Sequence, residues 1–288
     1  MVYTVILLVI LSGFLHALWN LFTKKSTNKF AFLWHAQLVA MIVFLPWALM
    51  VGTQESYTLV SVSLLLLSML VHAIYTGLLA YAYTIGDMSQ VYPIMRGTSP
   101  LLVPVIGVTV LHEQLSLFGW LGVLLIVMGM FLLSDLTYWK RPRLRRQASK
   151  APLVALAVGI CITANLVINK ITLLYFHPVV LNGATHLGNF IVLSWVLYRL
   201  RTPHIKAEFR LHWRTILLGG VIAPGGYLLF LYALSLAPVS QLAPMREIGT
   251  VFGTIMGIWI LGERQGSKRI ISSIWVTSGV LLLGLWGS

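Results

Sequence analysis

The stretch YAYTIGDMSQVYPIMR at 81–96 recurs in the second half of the chain as YALSLAPVSQLAPMR at 232–246. Tyr-Ala, Ser-Gln and Pro keep the same spacing in both copies, and after a one-residue gap each copy ends in Met-Arg. The match continues outward on both sides. Gly107, Glu113 and Gly129 correspond to Gly257, Glu263 and Gly279, and Asn20 and Lys25 correspond to Asn165 and Lys170. The chain therefore consists of two copies of one structural unit.

The composition of the chain is that of an integral membrane protein. Of its 288 residues, 58% are apolar and only 9% are charged, whereas about a quarter of the residues of a soluble domain are charged. The net charge of +13 does not indicate nucleic-acid binding, because a nucleic-acid-binding protein needs its Lys and Arg on a water-facing surface. We therefore expect an all-α integral membrane protein that contacts the lipid bilayer and has no nucleic-acid partner.

Ten apolar segments are long enough to cross a bilayer, which takes about 20 residues each. The first is too long for the hydrophobic part of a cleaved signal peptide, so we expect it to be retained. We place the ten spans at 3–22, 30–50, 59–82, 90–111, 117–138, 152–172, 178–199, 214–235, 241–261 and 270–287. This predicts a five-helix repeat over 1–138, a basic cytoplasmic linker over 139–151 and a second five-helix repeat over 152–288.

Basic residues are concentrated in alternate connections between the spans. The connections after spans 1, 5, 7 and 9 carry three, six, five and three Lys or Arg residues, where Arg199 and Arg214 at the adjoining span ends are counted with the connection after span 7; the connections after spans 2, 4, 6 and 8 carry none. Because Lys and Arg accumulate in cytoplasmic loops, this pattern predicts cytoplasmic odd-numbered connections and both termini outside. We expect a multi-pass protein of the inner (cytoplasmic) membrane.

The odd number of helices in each repeat forces the second copy into the membrane upside down. The two halves are then related by a pseudo-two-fold axis in the membrane plane, and substrate sites in such folds lie between the halves near the bilayer centre. This arrangement of inverted repeats is typical of alternating-access carriers.

Two sequence motifs resemble those of the drug/metabolite transporter superfamily and, within it, of the ten-helix EamA-type transporters. One is LHALWN at 15–20, followed by Lys24; the other is Ser-Gln and then Pro in spans 4 and 9, which end in LHE at 111–113 and LGE at 261–263. The resemblance extends over essentially the whole chain. It implies export or exchange of a small metabolite through a central cavity lined by helices 1, 3, 4, 6, 8 and 9. It also implies cytoplasmic termini, and on that point we follow the charge pattern instead.

Three charged residues lie well inside the predicted spans, away from their ends, namely Arg96, Arg246 and Glu247. Charge in the bilayer core is costly, so such residues are retained mainly where they face a bundle interior or a wet cavity. We predict that one Arg binds a carboxylate or phosphate, while Glu247 binds a substrate ammonium or carries a coupling proton. The alternative is an Arg96–Glu247 ion pair that only joins spans 4 and 9. Glu113 and Lys170, at helix ends, are expected to reach solvent or the interface.

Polar and aromatic residues at helical spacing complete the predicted binding site. His16, Trp19 and Asn20 share one face of span 1, and such a face packs on protein or lines a cavity rather than contacting lipid. Hydrogen bonding between helices would use the same residue types. The predicted substrate-binding residues are Arg96, Glu247, Arg246, His16, Trp19, Asn20, His72, Tyr75, Tyr92, Asn165, Asn169 and Tyr227.

These features favour a secondary active transporter that exports or exchanges a small polar or zwitterionic, amino-acid-like metabolite by alternating access. We expect a coupling proton or a counter-substrate to drive it, because the sequence has no Gly-x4-Gly-Lys-Ser/Thr nucleotide motif. The alternative is a membrane-embedded enzyme that acts on lipid or a lipid-linked substrate, but the sequence lacks the His-Glu-x2-His motif or paired intramembrane acids that such chemistry needs. We expect no enzymatic activity, no cofactor and no bound metal.

Overall fold

The computed structural model describes residues 2–85, 88–132, 150–200, 205–261 and 267–287. Within these ranges the chain is a bundle of α-helices joined by short connections and has no β-strand. The helices are α1 (Val2–Lys25), α2 (Lys29–Gly52), α3 (Leu59–Ile85), α4 (Met88–Thr109), α5 (Leu117–Leu132), α6 (Ala151–Thr172), α7 (Pro178–Leu200), α8 (Ile205–Leu236), α9 (Val239–Met245), α10 (Ile248–Leu261) and α11 (Ser267–Trp286). Most of the linker predicted over 139–151 lies outside the described residues.

The predicted ninth span is broken into two helices, α9 and α10. The Glu247 N–H donates to the carbonyl of Pro244, and the Gly249 and Thr250 N–H groups likewise donate to carbonyls only three residues back (2.9–3.1 Å). Pro244 itself has no N–H to continue the regular pattern, and proline is a common cause of helix breaks. Arg246 and Glu247 therefore lie at the joint between α9 and α10.

The predicted eighth span, which starts at residue 214, corresponds to the part of α8 that follows a kink at His212. Helix α8 begins at Ile205 and is kinked at His212, whose φ of −124° and ψ of 19° are not helical. The added segment is held by Glu208, whose carboxylate accepts hydrogen bonds from the N–H groups of Thr27 (3.2 Å) and Asn28 (2.8 Å) at the start of α2. Glu208 is buried, so Glu247 is not the only acid enclosed by the bundle.

The helix pairs obey the pseudo-two-fold relation that the repeat predicts. Helix α1 packs on α8 and α10, and its equivalent α6 packs on the equivalent helices α3 and α4. Equivalent helices also pack directly on one another, in the pairs α2 with α7, α4 with α9 and α5 with α11. The two halves are therefore inverted five-helix repeats that interlock along their whole length.

Glycines permit the closest of these helix contacts. A Cβ on Gly279 of α11 would lie 2.5 Å from the carbonyl oxygen of Gly122 on α5. A Cβ on Gly249 would lie 2.9 Å from the carbonyl oxygen of Gly13, which brings α1 directly against the joint between α9 and α10. Small residues at interfaces allow this approach in membrane helices.

Six of the described helical stretches are long and apolar enough to cross a membrane, and three shorter ones are also apolar. Large apolar side chains such as Leu7, Leu59 and Trp259 are exposed on the outside of the bundle, where lipid replaces water. The chain is therefore a multi-pass membrane protein. The six are Tyr3–Thr23, Lys29–Gly52, Leu59–Leu79, Ala151–Thr172, Pro178–Arg199 and Ile205–Leu236; the shorter three are Ile94–Thr109, Leu117–Leu132 and Ile270–Trp286.

Candidate functional site

A charged cluster joins the two repeats where α1, α4 and the α9–α10 joint meet. The Nη1 atom of Arg96 lies 3.6 Å from Oε1 of Glu247, and Arg96 Nη2 donates a 2.9 Å hydrogen bond to Nε2 of His16. Because a guanidinium can only donate, His16 accepts through an unprotonated Nε2 and is neutral in this arrangement. The Glu247 side chain is 11% exposed and that of Arg96 26%, so the pair is largely withdrawn from the surface.

The geometry of this cluster follows from local backbone packing. The Gly13–Gly249 contact fixes α1 against the joint, and His16 lies about one helical turn beyond Gly13. Since the joint places Glu247 outside a regular helix, its side chain can turn toward α4 and reach Arg96. The alternative raised by the sequence, an ion pair between the fourth and ninth spans, is thus present as a contact.

Arg246 is enclosed by aromatic rings. Its guanidinium carbon lies 4.4 Å from the ring centre of Phe230 and 5.6 Å from that of Tyr227, both on α8. Its Nε atom is buried and has no hydrogen-bond partner among the described residues. The Glu247 carboxylate attracts both Arg246 and Arg96, so two guanidiniums share one carboxylate at the centre of the bundle.

A neutral hydrogen-bond network lies beside Arg246 and links α3, α6 and α8. Asn169 Nδ2 donates to the Tyr227 hydroxyl (2.7 Å) and to Asn165 Oδ1 (3.1 Å), and the Ser68 hydroxyl donates to Asn169 Oδ1 (2.6 Å). Asn165 Nδ2 donates to the Ser68 carbonyl (3.2 Å), and His72 Nδ1 lies 3.4 Å from Asn165 Oδ1. The structure thus brings together His72, Asn165, Asn169 and Tyr227.

The network extends to α7, where the sequence-based selection missed His186. Its Nδ1 donates to Gln37 Oε1 (2.9 Å), its ring lies 6.2 Å from that of Tyr227, and its Nε2 is buried without a described partner. Both polar atoms of Asn182 are likewise buried without a described partner. The signal was available, since Asn182, Thr185, His186 and Asn189 repeat at helical spacing and are all buried.

The remaining predicted site residues are placed differently. Trp19 stacks on Phe32 with ring centres 5.5 Å apart, and a Cβ on Gly219 would lie 2.6 Å from it, so it packs between α1, α2 and α8. Asn20 is exposed. The Tyr75 ring lies 5.3 Å from that of His72, at the edge of the network. The side chain of Tyr92 lies outside the described part of the chain.

Two residues expected at solvated helix ends are instead structural contacts. Glu113 accepts hydrogen bonds from the backbone N–H groups of Val239 and Ser240, each at 2.8 Å. Lys170 donates to the carbonyls of Leu234 (2.8 Å) and Ala237 (2.9 Å). Helix ends carry unpaired N–H and C=O groups, and these charges satisfy them at the ends of α9 and α8.

Comparison with a relative and a solved structure agrees with this architecture. The chain is 28% identical over 212 residues, 72% of its own length and 70% of the other, to a Listeria monocytogenes protein named "Putative sugar uptake protein". A solved crystal structure aligns with 96% of this chain and 94% of its own at a TM-score of 0.73 and 14% sequence identity, which shows a shared fold.

The sequence model of the EamA-like transporter family matches residues 3–135 and 149–285, one match for each repeat. The resemblance seen in the motifs is confirmed over the whole length of the bundle. The chain belongs to the EamA-like transporter family.

Proposed function

We propose that this transporter is an alternating-access secondary carrier that exports or exchanges a small, amino-acid-like metabolite bearing a carboxylate. The observation that carries the proposal is Arg246, a guanidinium enclosed by Phe230 and Tyr227 that has an unpartnered, buried Nε and shares the carboxylate of Glu247 with Arg96. An excess of positive charge inside a membrane protein is costly. A substrate carboxylate bound next to Arg246 would remove that cost, and it would accept charge-assisted hydrogen bonds from the guanidinium.

The neighbouring network suits the polar remainder of such a substrate. Because His186 Nδ1 donates to Gln37, the Nε2 atom of the neutral ring carries a lone pair that can accept from an ammonium or hydroxyl. The amide oxygen of Asn182, on the same face of α7 as His186, is a further acceptor without a described partner. A molecule with one anionic group and one hydrogen-bond donor therefore complements the site, with the anion at Arg246 on one side of Tyr227 and the donor at the network on the other.

The Arg96–Glu247 pair is the proposed coupling element. Protonation of Glu247 would remove the counter-charge of Arg96, so a proton and a substrate anion can each change the balance of charge at the joint. A counter-substrate carboxylate that displaces Glu247 from Arg96 would act in the same way. Both schemes are consistent with secondary transport.

Sugar uptake is a second candidate function. The Listeria relative is named for sugar uptake, and the amide-rich network around Tyr227 could bind the hydroxyl groups of a neutral sugar. A membrane-embedded enzyme is less favoured, because the buried acids Glu208 and Glu247 are engaged with backbone N–H groups and with Arg96.

Thermal stabilisation of the purified protein in detergent separates the two transport candidates. A ligand that binds only the folded state raises the Tm. We expect at least one of a panel of amino acids to raise the Tm and matched neutral sugars to leave it unchanged. A rise with sugars alone would replace the amino-acid proposal by sugar uptake.

We further propose that the protein resides in the inner (cytoplasmic) membrane with both termini outside. The support is the absence of Lys and Arg from the connections after spans 2, 4, 6 and 8. A reporter fused after Ser288 that is active only in the periplasm should be active, and one that needs the cytoplasm should be silent. The opposite pair of results would invert the orientation.

A further inference from the structure

The connection between α8 and α9 is held from both sides by charged side chains of other elements. Glu113, from the connection after α4, receives the first two N–H groups of α9, and Lys170, near the end of α6, binds two carbonyls at the end of α8. A negative charge at a helix N-terminus and a positive charge at a helix C-terminus are both favourable to the helix dipoles. Four charge-assisted hydrogen bonds thus hold one turn.

Helix α9 connects this turn to the charged cluster. It has only seven residues, about 10 Å at 1.5 Å per residue, with the α8–α9 turn at one end and Arg246 and Glu247 at the other. The tight hydrogen bonds at the joint separate it from α10, so it can move as a unit. A movement of either end of α9 displaces the other.

The two repeats differ at the lysine of this arrangement. Lys170 is half-buried and bonded to α8, whereas its repeat equivalent Lys25 is exposed. In an inverted-repeat carrier the two halves adopt different conformations in any one state, so that one face is closed. The difference between Lys170 and Lys25 is what closure at the α8–α9 turn would produce.

We propose that Glu113 and Lys170 form a clamp that keeps the carrier closed at the membrane face of the α8–α9 turn, and that α9 transmits substrate binding at Arg246 to this clamp. The inference rests on the proposed transport function. Binding of a substrate anion repositions Arg246, tilts α9 and withdraws Val239 and Ser240 from Glu113. The clamp and the substrate site then open and close together.

Ser240 provides a reporter for the position of α9. Its hydroxyl is fully buried without a described partner, and it lies against α4, since a Cβ on Gly107 would be 3.0 Å from the Ser240 Cβ. Ser240→Cys in a Cys161→Ala background therefore costs no hydrogen bond and should react slowly with a membrane-impermeant maleimide. Labelling is measured in membrane vesicles of both orientations.

We expect Glu113→Gln and Lys170→Gln each to raise the labelling rate of this cysteine about tenfold, because each removes charge-assisted hydrogen bonds from the turn. Lys170→Arg keeps the donors and should label slowly. The matched control is Glu55→Gln, which removes a carboxylate that accepts from the His177 N–H at the start of α7 (2.7 Å) and makes no described hydrogen bond to α8 or α9. The reporter cysteine should also react slowly in this control variant.

The results separate the clamp from the transport function. Unchanged labelling in both clamp variants, or an equal rise in Glu55→Gln, would overturn the clamp, and a Tm close to that of the parent excludes unfolding as the cause of a rise. The Tm increase that an amino acid produces in the parent protein is an independent readout. If the parent binds an amino acid while labelling never changes, only the clamp is wrong.

Discussion

Replacing Arg246 with Gln is expected to abolish substrate binding and transport without destabilising the protein. Losing one partner of a buried, hydrogen-bonded charge pair costs at least about 2 kcal/mol, or roughly thirtyfold in Kd. In the absence of ligand, however, the guanidinium has an unpaired Nε and is repelled by Arg96, so the Tm of the variant should be unchanged or higher. Ligand-dependent Tm shifts and transport into vesicles measure the two effects.

The combination of results distinguishes substrate binding from a packing role. If Arg246 only packed against Phe230 and Tyr227, the variant would lose thermal stability and would still bind the substrate. Arg210→Gln makes the same chemical change at an exposed residue of α8 and should leave binding and transport unaffected. Full transport by Arg246→Gln would remove this residue from the mechanism.

The second large effect is expected at the Arg96–Glu247 pair. Either Arg96→Gln or Glu247→Gln leaves a poorly exposed charge without its partner, which costs about 3 kcal/mol of folding free energy. We expect a lower Tm and no transport from each single variant. The double variant Arg96→Gln with Glu247→Gln carries neither charge of the pair, so its Tm should recover most of the loss while transport remains absent.

The double variant separates coupling from structure. An ion pair that only joins α4 to the α9–α10 joint becomes dispensable once both charges are gone, and transport should then return together with stability. Recovery of stability without transport supports a role for the charges in the transport cycle. Recovery of both would reduce the pair to a structural contact.

Much of the fold follows from the sequence because the bilayer restricts which backbone structures a chain can adopt. Only helices and closed barrels satisfy the backbone in lipid, so apolar segments of about 20 residues identify the helices, and the repeat at 81–96 and 232–246 relates the halves. The sequence raised a contact between Arg96 and Glu247 as an alternative to substrate binding, because charges inside a membrane protein tend to pair. It did not predict a joint at Arg246 and Glu247, since proline is tolerated within many membrane helices.

The sequence does not predict contacts between a side chain and a connection that is distant along the chain. Glu113, Lys170 and Glu208 look like residues at solvated helix ends, and only the packing of the two repeats shows which backbone groups they bind. The sequence makes His186 a weaker candidate than the predicted site residues, because histidine in a membrane helix is equally compatible with hydrogen bonding between helices. Only the structure shows that Gln37 binds Nδ1 of His186 and that Nε2 is left without a described partner.

Counterflow in proteoliposomes tests the central claim most directly, namely that the carrier exchanges a carboxylate-bearing metabolite bound by Arg246. Vesicles that contain purified protein are loaded with the unlabelled amino acid that raises the Tm most and are diluted into a trace of the labelled compound. The wild-type protein should accumulate label transiently, and Arg246→Gln should not. Equal accumulation by both proteins, or none by the wild type with any carboxylate that binds it, would contradict the account.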